Sequence, residues 1–336
     1  MKLIELTAPG LDHLRLATAP DPHPPGRGQA LVRMRAASLN FVDFAVAQGL
    51  FHGVEYPVVP IADGAGEVIA VGAEVGNLVP GDRVAVHPKA TWIAGPGDAL
   101  QQQIMRGVSL PGSLIEMAAV DANTLVKAPA HLTWEEIATL PICATTAGNA
   151  LRAGKVGPAS TVVLLGTGGV SVFALQLAKA AGARVIVTSS SDAKLDRAKA
   201  LGAEEVINYV QTPDWDARVL ELTGGLGADL VAETVGAQTF ARSLAAARQG
   251  GTVFTVGFVT GSAAQVDLMT IIVKALRVVG NNTGSVENLA AAASVIAAHR
   301  ISPAIDRTYG LGDLAEAYGA QGQGAHFGKL ALRLDW

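Results

Sequence analysis

The sequence predicts an α/β chain of two domains: a doubly wound parallel sheet in the middle, and an irregular β-barrel region at the start that the tail rejoins. Three observations carry this reading. Thr161-Val162-Val163-Leu164-Leu165, then Gly166-Thr167-Gly168-Gly169, then Val170, Ala174, Leu177, Ala178 and Ala181 at helical spacing read as buried strand, glycine turn and helix. Five more aliphatic runs alternate with helical patterns from about residue 125 to 282, the texture of repeated βαβ units. Residues 1 to about 125 instead carry short apolar runs punctuated by Pro and Gly.

Taken in order, the first region offers strands at Gln29–Met34, Gly66–Gly72 and Gly81–Val86, with a surface loop at Pro20–Pro25. Trp92–Pro111 is rich in Gly, Gln and Pro and is expected to be a mobile insertion near a substrate cleft or an interface. The middle follows its first strand with Ala183–Thr188, Val206–Asn208, Leu230–Ala232, Thr252–Val256 and Leu276–Val279. Helical patterns lie between them at Lys194–Leu201, Asp214–Leu222 and Gln238–Arg248, each ending near glycine. Six such strands joined by right-handed crossovers place a ligand at their carboxyl ends. The tail reads as a helix over Asn288–Ala298 and a strand over Lys329–Leu334 that returns to the first region.

Composition narrows the function. Half of the 336 residues are apolar, enough to bury two cores, and the net charge of −4 with no basic cluster argues against a nucleic-acid or anionic-membrane partner. A single cysteine rules out an intrachain disulfide framework and fits a reducing compartment. Met1-Lys2-Leu3-Ile4-Glu5 lacks the apolar stretch of a secretory signal, so a cytoplasmic location is expected. Val156–Ala178 is uncharged over membrane-spanning length, but its Gly-Thr-Gly-Gly centre favours strand, turn and helix.

The glycine turn is the chemical signal. Gly166-x-Gly168-x-x-Ser171 lets backbone amides approach a pyrophosphate at a helix N-terminus, with serine as the small third residue. An NAD enzyme usually places Asp or Glu about twenty residues past the first glycine. Here Ser189 and Ser190 stand there, with Lys194 one turn into the next helix and Tyr209 closing the next strand. Hydroxyls beside a cation suit the 2′-phosphate of NADPH, with NADH possible. The same residues also fit a helix cap at Ser191-Asp192 and a solvated Lys194.

The chain resembles the medium-chain dehydrogenase/reductase superfamily over essentially its whole length. The resemblance rests on Asn40-Phe41-x-Asp43, Asp63-Gly64-Ala65-Gly66-Glu67-Val68, Gly81-Asp82-Arg83-Val84, Leu140-Pro141, Gly166-Thr167-Gly168-Gly169-Val170, Ala200-Leu201-Gly202-Ala203, Val206-Ile207-Asn208-Tyr209 and His326-Phe327-Gly328-Lys329. The nearest groups are the zinc-less quinone oxidoreductase-like and alcohol dehydrogenase-like branches. It implies a GroES-like barrel domain over 1–125 and 283–336, a Rossmann domain over 126–282, substrate in the cleft between them, and a homodimer paired through the sixth strands. Cofactor contacts implied beyond the glycine turn are Val235-Gly236, Gly257-Phe258, Asn281-Asn282, Phe327 and Lys329.

The resemblance also frames the metal question. Zinc members hold the ion through Cys, His and Cys; the matching positions here are Asn40, Ala62 and Ile142, with Cys143 adjacent to the last and Asp63 where an acidic residue stands behind the ligands. No zinc is therefore expected. Without a Lewis acid, alcohol oxidation is handicapped, and hydride transfer from NADPH to a quinone or an α,β-unsaturated carbonyl is favoured. Asn40 is expected to donate to the substrate oxygen, Thr146 to stand beside the nicotinamide, and Asp43 to orient its neighbours. Relatives often carry tyrosine where this chain has Phe51, and His52, Tyr56 and His87 are the other titratable groups nearby. An alcohol or aldehyde dehydrogenase working without metal, and a catalytically weak NADPH-binding protein of the crystallin or adaptor kind, are the competing readings.

Overall fold

The computed structural model describes residues 1–51 and 53–336, so His52 lies outside the described residues. Its strands in chain order are β1 (Lys2–Leu6), β2 (Leu14–Thr18), β3 (Gln29–Leu39), β4 (Asp63–Val71), β5 (Arg83–Val86), β6 (Met117–Asp121), β7 (Leu125–Lys127), β8 (Thr161–Leu165), β9 (Arg184–Ser189), β10 (Glu205–Asn208), β11 (Ala228–Glu233), β12 (Ala247–Thr255), β13 (Arg277–Gly280), β14 (Ile305–Tyr309) and β15 (Lys329–Arg333). The chain divides into two compact units, Met1–Thr145 with Gly284–Trp336, and Thr146–Thr283.

The second unit is a six-stranded parallel sheet in the order β10-β9-β8-β11-β12-β13. The order reverses between β8 and β11, so the connections leave to opposite faces and a crevice opens at the carboxyl ends there. The aliphatic runs are buried on both faces: Val162, Val163, Leu164, Val185, Ile186 and Val231 have no exposed surface. The helix Gly169–Ala180 turns Val172, Phe173, Leu175 and Leu177 inward.

The first unit is organised by β3, whose eleven residues pair with β4 along one edge. Along the other edge β3 pairs first with β6 and then with β15. The path β14-β15-β3-β4-β5-β7 is thus completed by the two late strands β14 and β15, and Leu6, Val32, Leu39, Ile61, Leu114 and Leu332 fill its core. Two expectations need correction. The nucleotide domain was expected to begin at 126, but residues 126–145 belong to the first unit: β7 pairs with β5, and the helix Trp134–Ala138 packs on β3 and β4. The 92–111 segment is not loose. Trp92 is buried, its carbonyl accepts the Val286 amide at 3.0 Å, a capped helix spans Ala99–Gln103, and Met105 and Val108 are buried. Among the described residues no helix is long and apolar enough to cross a membrane.

Candidate functional site

In the second unit β8 ends at Leu165, and Gly166 turns the chain with φ of 71°, a left-handed conformation in which a side chain is strained. A Cβ at Gly166 or Gly168 would meet nothing within 4 Å, so open space lies in front of the turn. Gly168 caps the twelve-residue helix with no side-chain bond, which leaves the first-turn amides to an anion. The serine at the third motif position does more than stay small. Ser171 Oγ and Thr234 Oγ1 each donate to the Leu165 carbonyl at 2.7 Å, pinning the turn from below. These features fit a dinucleotide pyrophosphate.

The other nucleotide candidates of this unit, Ser189, Ser190, Lys194, Tyr209, Val235, Gly257, Phe258 and Asn281, all stand at or just past the carboxyl ends of β9 to β13. Ser189 is 4% exposed and its hydroxyl accepts the Ser191 amide at 3.3 Å, so the outward hydroxyl of the pair is Ser190. Tyr209 donates its amide to the Ser189 carbonyl at 3.1 Å. The nearby acid, Asp192, has both oxygens occupied by Asn208 Nδ2 at 2.7 Å and Gln211 Nε2 at 3.2 Å. At Gly257 a Cβ would sit 1.9 Å from the Thr234 oxygen, so only glycine fits. Asn281 Nδ2 donates to the Thr283 carbonyl at 3.0 Å, Phe258 is exposed, and Thr146 is buried in the helix Thr145–Ala153.

One organiser of this edge was missed. Glu233, wholly buried at the end of β11, accepts the amides of Val235 at 2.8 Å and Gly236 at 2.9 Å together with the hydroxyls of Thr239 and Ser243. An acid ending an aliphatic run, with two hydroxyl residues on the next turns, is its sequence signature.

Phe327 and Lys329 belong instead to the first unit, where both are buried, and Lys329 joins a closed polar cluster. Its Nζ donates to the Leu39 carbonyl and to Asn40 Oδ1, each at 2.6 Å, and lies 3.8 Å from Asp63 Oδ2. Asn40 Nδ2 donates to Asp63 Oδ2 at 2.9 Å and faces the Ser38 carbonyl at 3.5 Å; Cys143 Sγ donates to Asn40 Oδ1 at 3.3 Å. Asp43 accepts the amides of Asn40 at 2.7 Å and Ala62 at 2.8 Å, and Asp63 accepts that of Ile142 at 3.1 Å from the π-turn Leu140–Ala144. Asn40 is therefore corrected: both its amide hydrogens are directed at protein acceptors, so it is a hub and not a donor waiting for substrate.

Burial raises Asp43 to about 6 and Asp63 to about 7, against the opposing pull of Lys329. It pushes the Cys143 thiol up to about 11, so that group stays a neutral donor. Elsewhere in this unit Tyr56 Oη donates to the Val46 carbonyl at 2.8 Å, and Phe51 is partly exposed.

This chemistry does not fit catalytic zinc. Ala62 and Ile142 offer no side-chain donor atom, Cys143 is the one cysteine of the chain, and the Asn40 oxygen already faces an ammonium. Among the described residues no three His, Cys, Asp or Glu side chains could hold a metal.

Comparison with known proteins agrees with this architecture. The profile described as "Alcohol dehydrogenase GroES-like domain" matches residues 26–130, and the one described as "Zinc-binding dehydrogenase" matches 169–298. A zinc-type alcohol dehydrogenase-like protein of Schizosaccharomyces pombe is 39% identical over 97% of this chain and 96% of its own length. The crystal structure of a putative alcohol dehydrogenase from Sinorhizobium meliloti 1021 superposes with a TM-score of 0.92 at 35% identity, covering 99% of this chain and 98% of that one. A 2-octenoyl-CoA carboxylase reductase in complex with NADP and 2-octenoyl-CoA superposes with a TM-score of 0.86 at 28% identity, covering 99% and 87%.

Proposed function

The chain belongs to the medium-chain dehydrogenase/reductase superfamily, an NAD(P)H-dependent oxidoreductase, and we propose that it works without zinc as an NADPH-dependent reductase of quinones or α,β-unsaturated carbonyls. The observation that carries this is the replacement of the zinc ligand positions by Asn40, Ala62 and Ile142, with the Lys329 ammonium bonded to Asn40 and 3.8 Å from Asp63. When bound, NADPH would supply a hydride for the β-carbon of a conjugated carbonyl, and a solvent proton would complete the saturated product. The amides of Gly168, Gly169 and Val170 hold the pyrophosphate, and Ser190 with Lys194 binds the 2′-phosphate. The Lys329 ammonium is a fixed cation, and its field, passed through the Asn40 amide, favours negative charge growing on a substrate oxygen brought against this cluster. The likeness to a reductase that binds NADP and an enoyl thioester supports the conjugated-carbonyl choice.

The assembly we propose is a homodimer in a reducing, cytoplasmic setting. Leu268, Met269, Ile272 and Val273 on one short helix and Val278 on the edge strand β13 expose apolar surface that an edge-to-edge partner would cover. A second reading, a weakly catalytic NADPH-binding protein, is favoured by Phe51 and by the occupied hydrogens of Asn40. Metal analysis of one sample, with NADPH and NADH oxidation against a quinone and an enone, tests both. Metal-free protein oxidising NADPH is expected. Stoichiometric zinc overturns the zinc-free assignment, and tight NADPH binding with no turnover selects the second reading.

A further inference from the structure

A second buried polar cluster lies in the first unit, beside the one just described. Val86 of β5 pairs with Gly64 of β4, and one residue beyond that pair stand His87 and Asp63. His87 and Lys89 are 0% and 2% exposed. Lys89 donates its amide to His87 Nδ1 at 3.2 Å and its Nζ to the Gln102 carbonyl; Arg106 donates its amide to the Pro88 carbonyl at 2.9 Å. The 87–89 turn and the 102–106 stretch are thus stitched together, and both side chains and backbone bring three cation-forming residues into one place.

The cluster's donors outnumber the acceptors they meet, although the buried Gln102 Oε1 of the same stretch also has no partner. His87 Nδ1 lies 3.2 Å from the Lys89 amide and 3.3 Å from the Lys89 carbonyl, so it accepts in one tautomer and donates in the other; in the accepting tautomer Nε2 carries the proton, and in both that buried atom has no partner. The buried Nε of Arg106 has none either, and the Lys89 ammonium, with three hydrogens, meets one carbonyl. Among the described residues none of the three makes an ion pair; the one carboxylate whose charge reaches them is Asp121, acting on Arg106 across a distance. Burial lowers Lys89 to about 8 and His87 to about 4, the latter with the charges of Lys89 and Arg106 adding to the effect. Buried donors without acceptors are costly, and a structure rarely keeps several together without a ligand to take them.

We propose that His87, Lys89 and Arg106 form an oxyanion site for a carboxylate or phosphate group carried by the substrate, next to the Asn40–Asp63–Lys329 cluster. The substrate class is then an α,β-unsaturated carbonyl compound that also bears an anionic group, which rests on the reductase reading above. In the tautomer that accepts the Lys89 amide at Nδ1, His87 Nε2–H joins Arg106 Nε–H as a directional donor, and Lys89 supplies the charge. A neutral substrate of equal length would leave those donors unmet and bind more weakly.

The test uses the NADPH-bound enzyme and two enones of one carbon skeleton, 4-oxopent-2-enoate and neutral 3-penten-2-one, with inorganic phosphate as a simple probe. The His87 ring nitrogens are followed by nitrogen NMR while phosphate or 4-oxopent-2-enoate is added. Expected are saturable shifts at Nε2, affinities for both anions that fall at least about tenfold in Lys89→Met and Arg106→Met, and a preference for the oxoenoate over the pentenone of about tenfold or more in kcat/KM. The NMR titration of wild-type protein needs no variant, so a misfolded substitution does not blunt it. Phosphate binding with equal kcat/KM for both enones would overturn the substrate assignment and assign the site to free anions. No shift with either anion overturns the site itself. Intact anion binding with no turnover of either enone would refute the reductase reading and leave the oxyanion site standing.

Discussion

Replacing Lys329 by methionine keeps an unbranched side chain, one atom shorter, and removes its charge. In the folded protein the ammonium is 2% exposed, holds two carbonyl-type oxygens at 2.6 Å, and stands 3.8 Å from Asp63 Oδ2. At an effective dielectric of about 20 the attraction to an ionised Asp63 is about 4 kcal/mol. The substitution also leaves the Leu39 carbonyl and Asn40 Oδ1 short of a donor, each a loss of about 1–3 kcal/mol, while methionine regains part of this by apolar contact. The net expectation is a loss of about 3–5 kcal/mol, typical of breaking a buried pair from one side. Three of the four tryptophans, Trp92, Trp134 and Trp336, belong to the first unit, so fluorescence during urea unfolding reports on the unit that holds the cluster. Asp63→Asn made on the methionine background removes the stranded carboxylate and should recover at least about 1 kcal/mol. A loss below about 1 kcal/mol for Lys329→Met, or no recovery in the double variant, would refute the view that this lysine is the cation the carboxylates are built around.

Further outcomes follow from other features. Both aspartates have folded values raised above the ordinary 3.8, so the native state keeps protons that the unfolded chain has released. Their contribution is full below about pH 4 and is lost as pH rises toward 7, at up to about 1.4 kcal/mol per pH unit for each group, so urea midpoints should fall across that window and fall less in Asp63→Asn. Ser190→Asp places a carboxylate where the outward hydroxyl stands, and should weaken NADPH by at least about tenfold while sparing NADH, as read by fluorescence titration. Gly257→Ala drives a methyl into the Thr234 backbone; a loss of about 3 kcal/mol or more in the unfolding of the nucleotide unit is expected, together with weaker dinucleotide binding. Unchanged stability there would mean that the two segments separate freely.

The parallel sheet was legible because its strands are short aliphatic runs bounded by turns, and Thr161–Leu165 leads directly into Gly166-Thr167-Gly168 and a helical pattern. The 126–145 boundary was not, because Leu125-Val126 could have begun either unit, and only its pairing with β5 decides. Asn40 was recognised as a position but misjudged as a role, since its partners Lys329, Cys143 and Asp63 are 289, 103 and 23 residues away. Local pattern carries periodicity and turn chemistry; it does not carry which buried donor meets which acceptor across the fold. His87 illustrates the same limit. A lone histidine after a strand reads as packing, and its unmatched Nε2 is visible only once Lys89 and Arg106 are beside it.

The closing of β3 by β15 has a consequence for how the molecule is made. Leu39 lines up with Leu330, so the last ladder of the first unit joins residues 291 positions apart. A ribosome delivers Thr146–Thr283 whole before β14 and β15 have emerged, so the nucleotide-binding unit can fold while the first still lacks two strands. Through that interval Asp43 and Asp63 await their lysine, and the open side of β3 presents unpaired amides from Ala36 to Leu39. The cation that completes the polar cluster thus arrives only after the whole nucleotide unit, and chains cut short before residue 329 would carry a finished nucleotide unit together with a first unit whose β3 edge is still open.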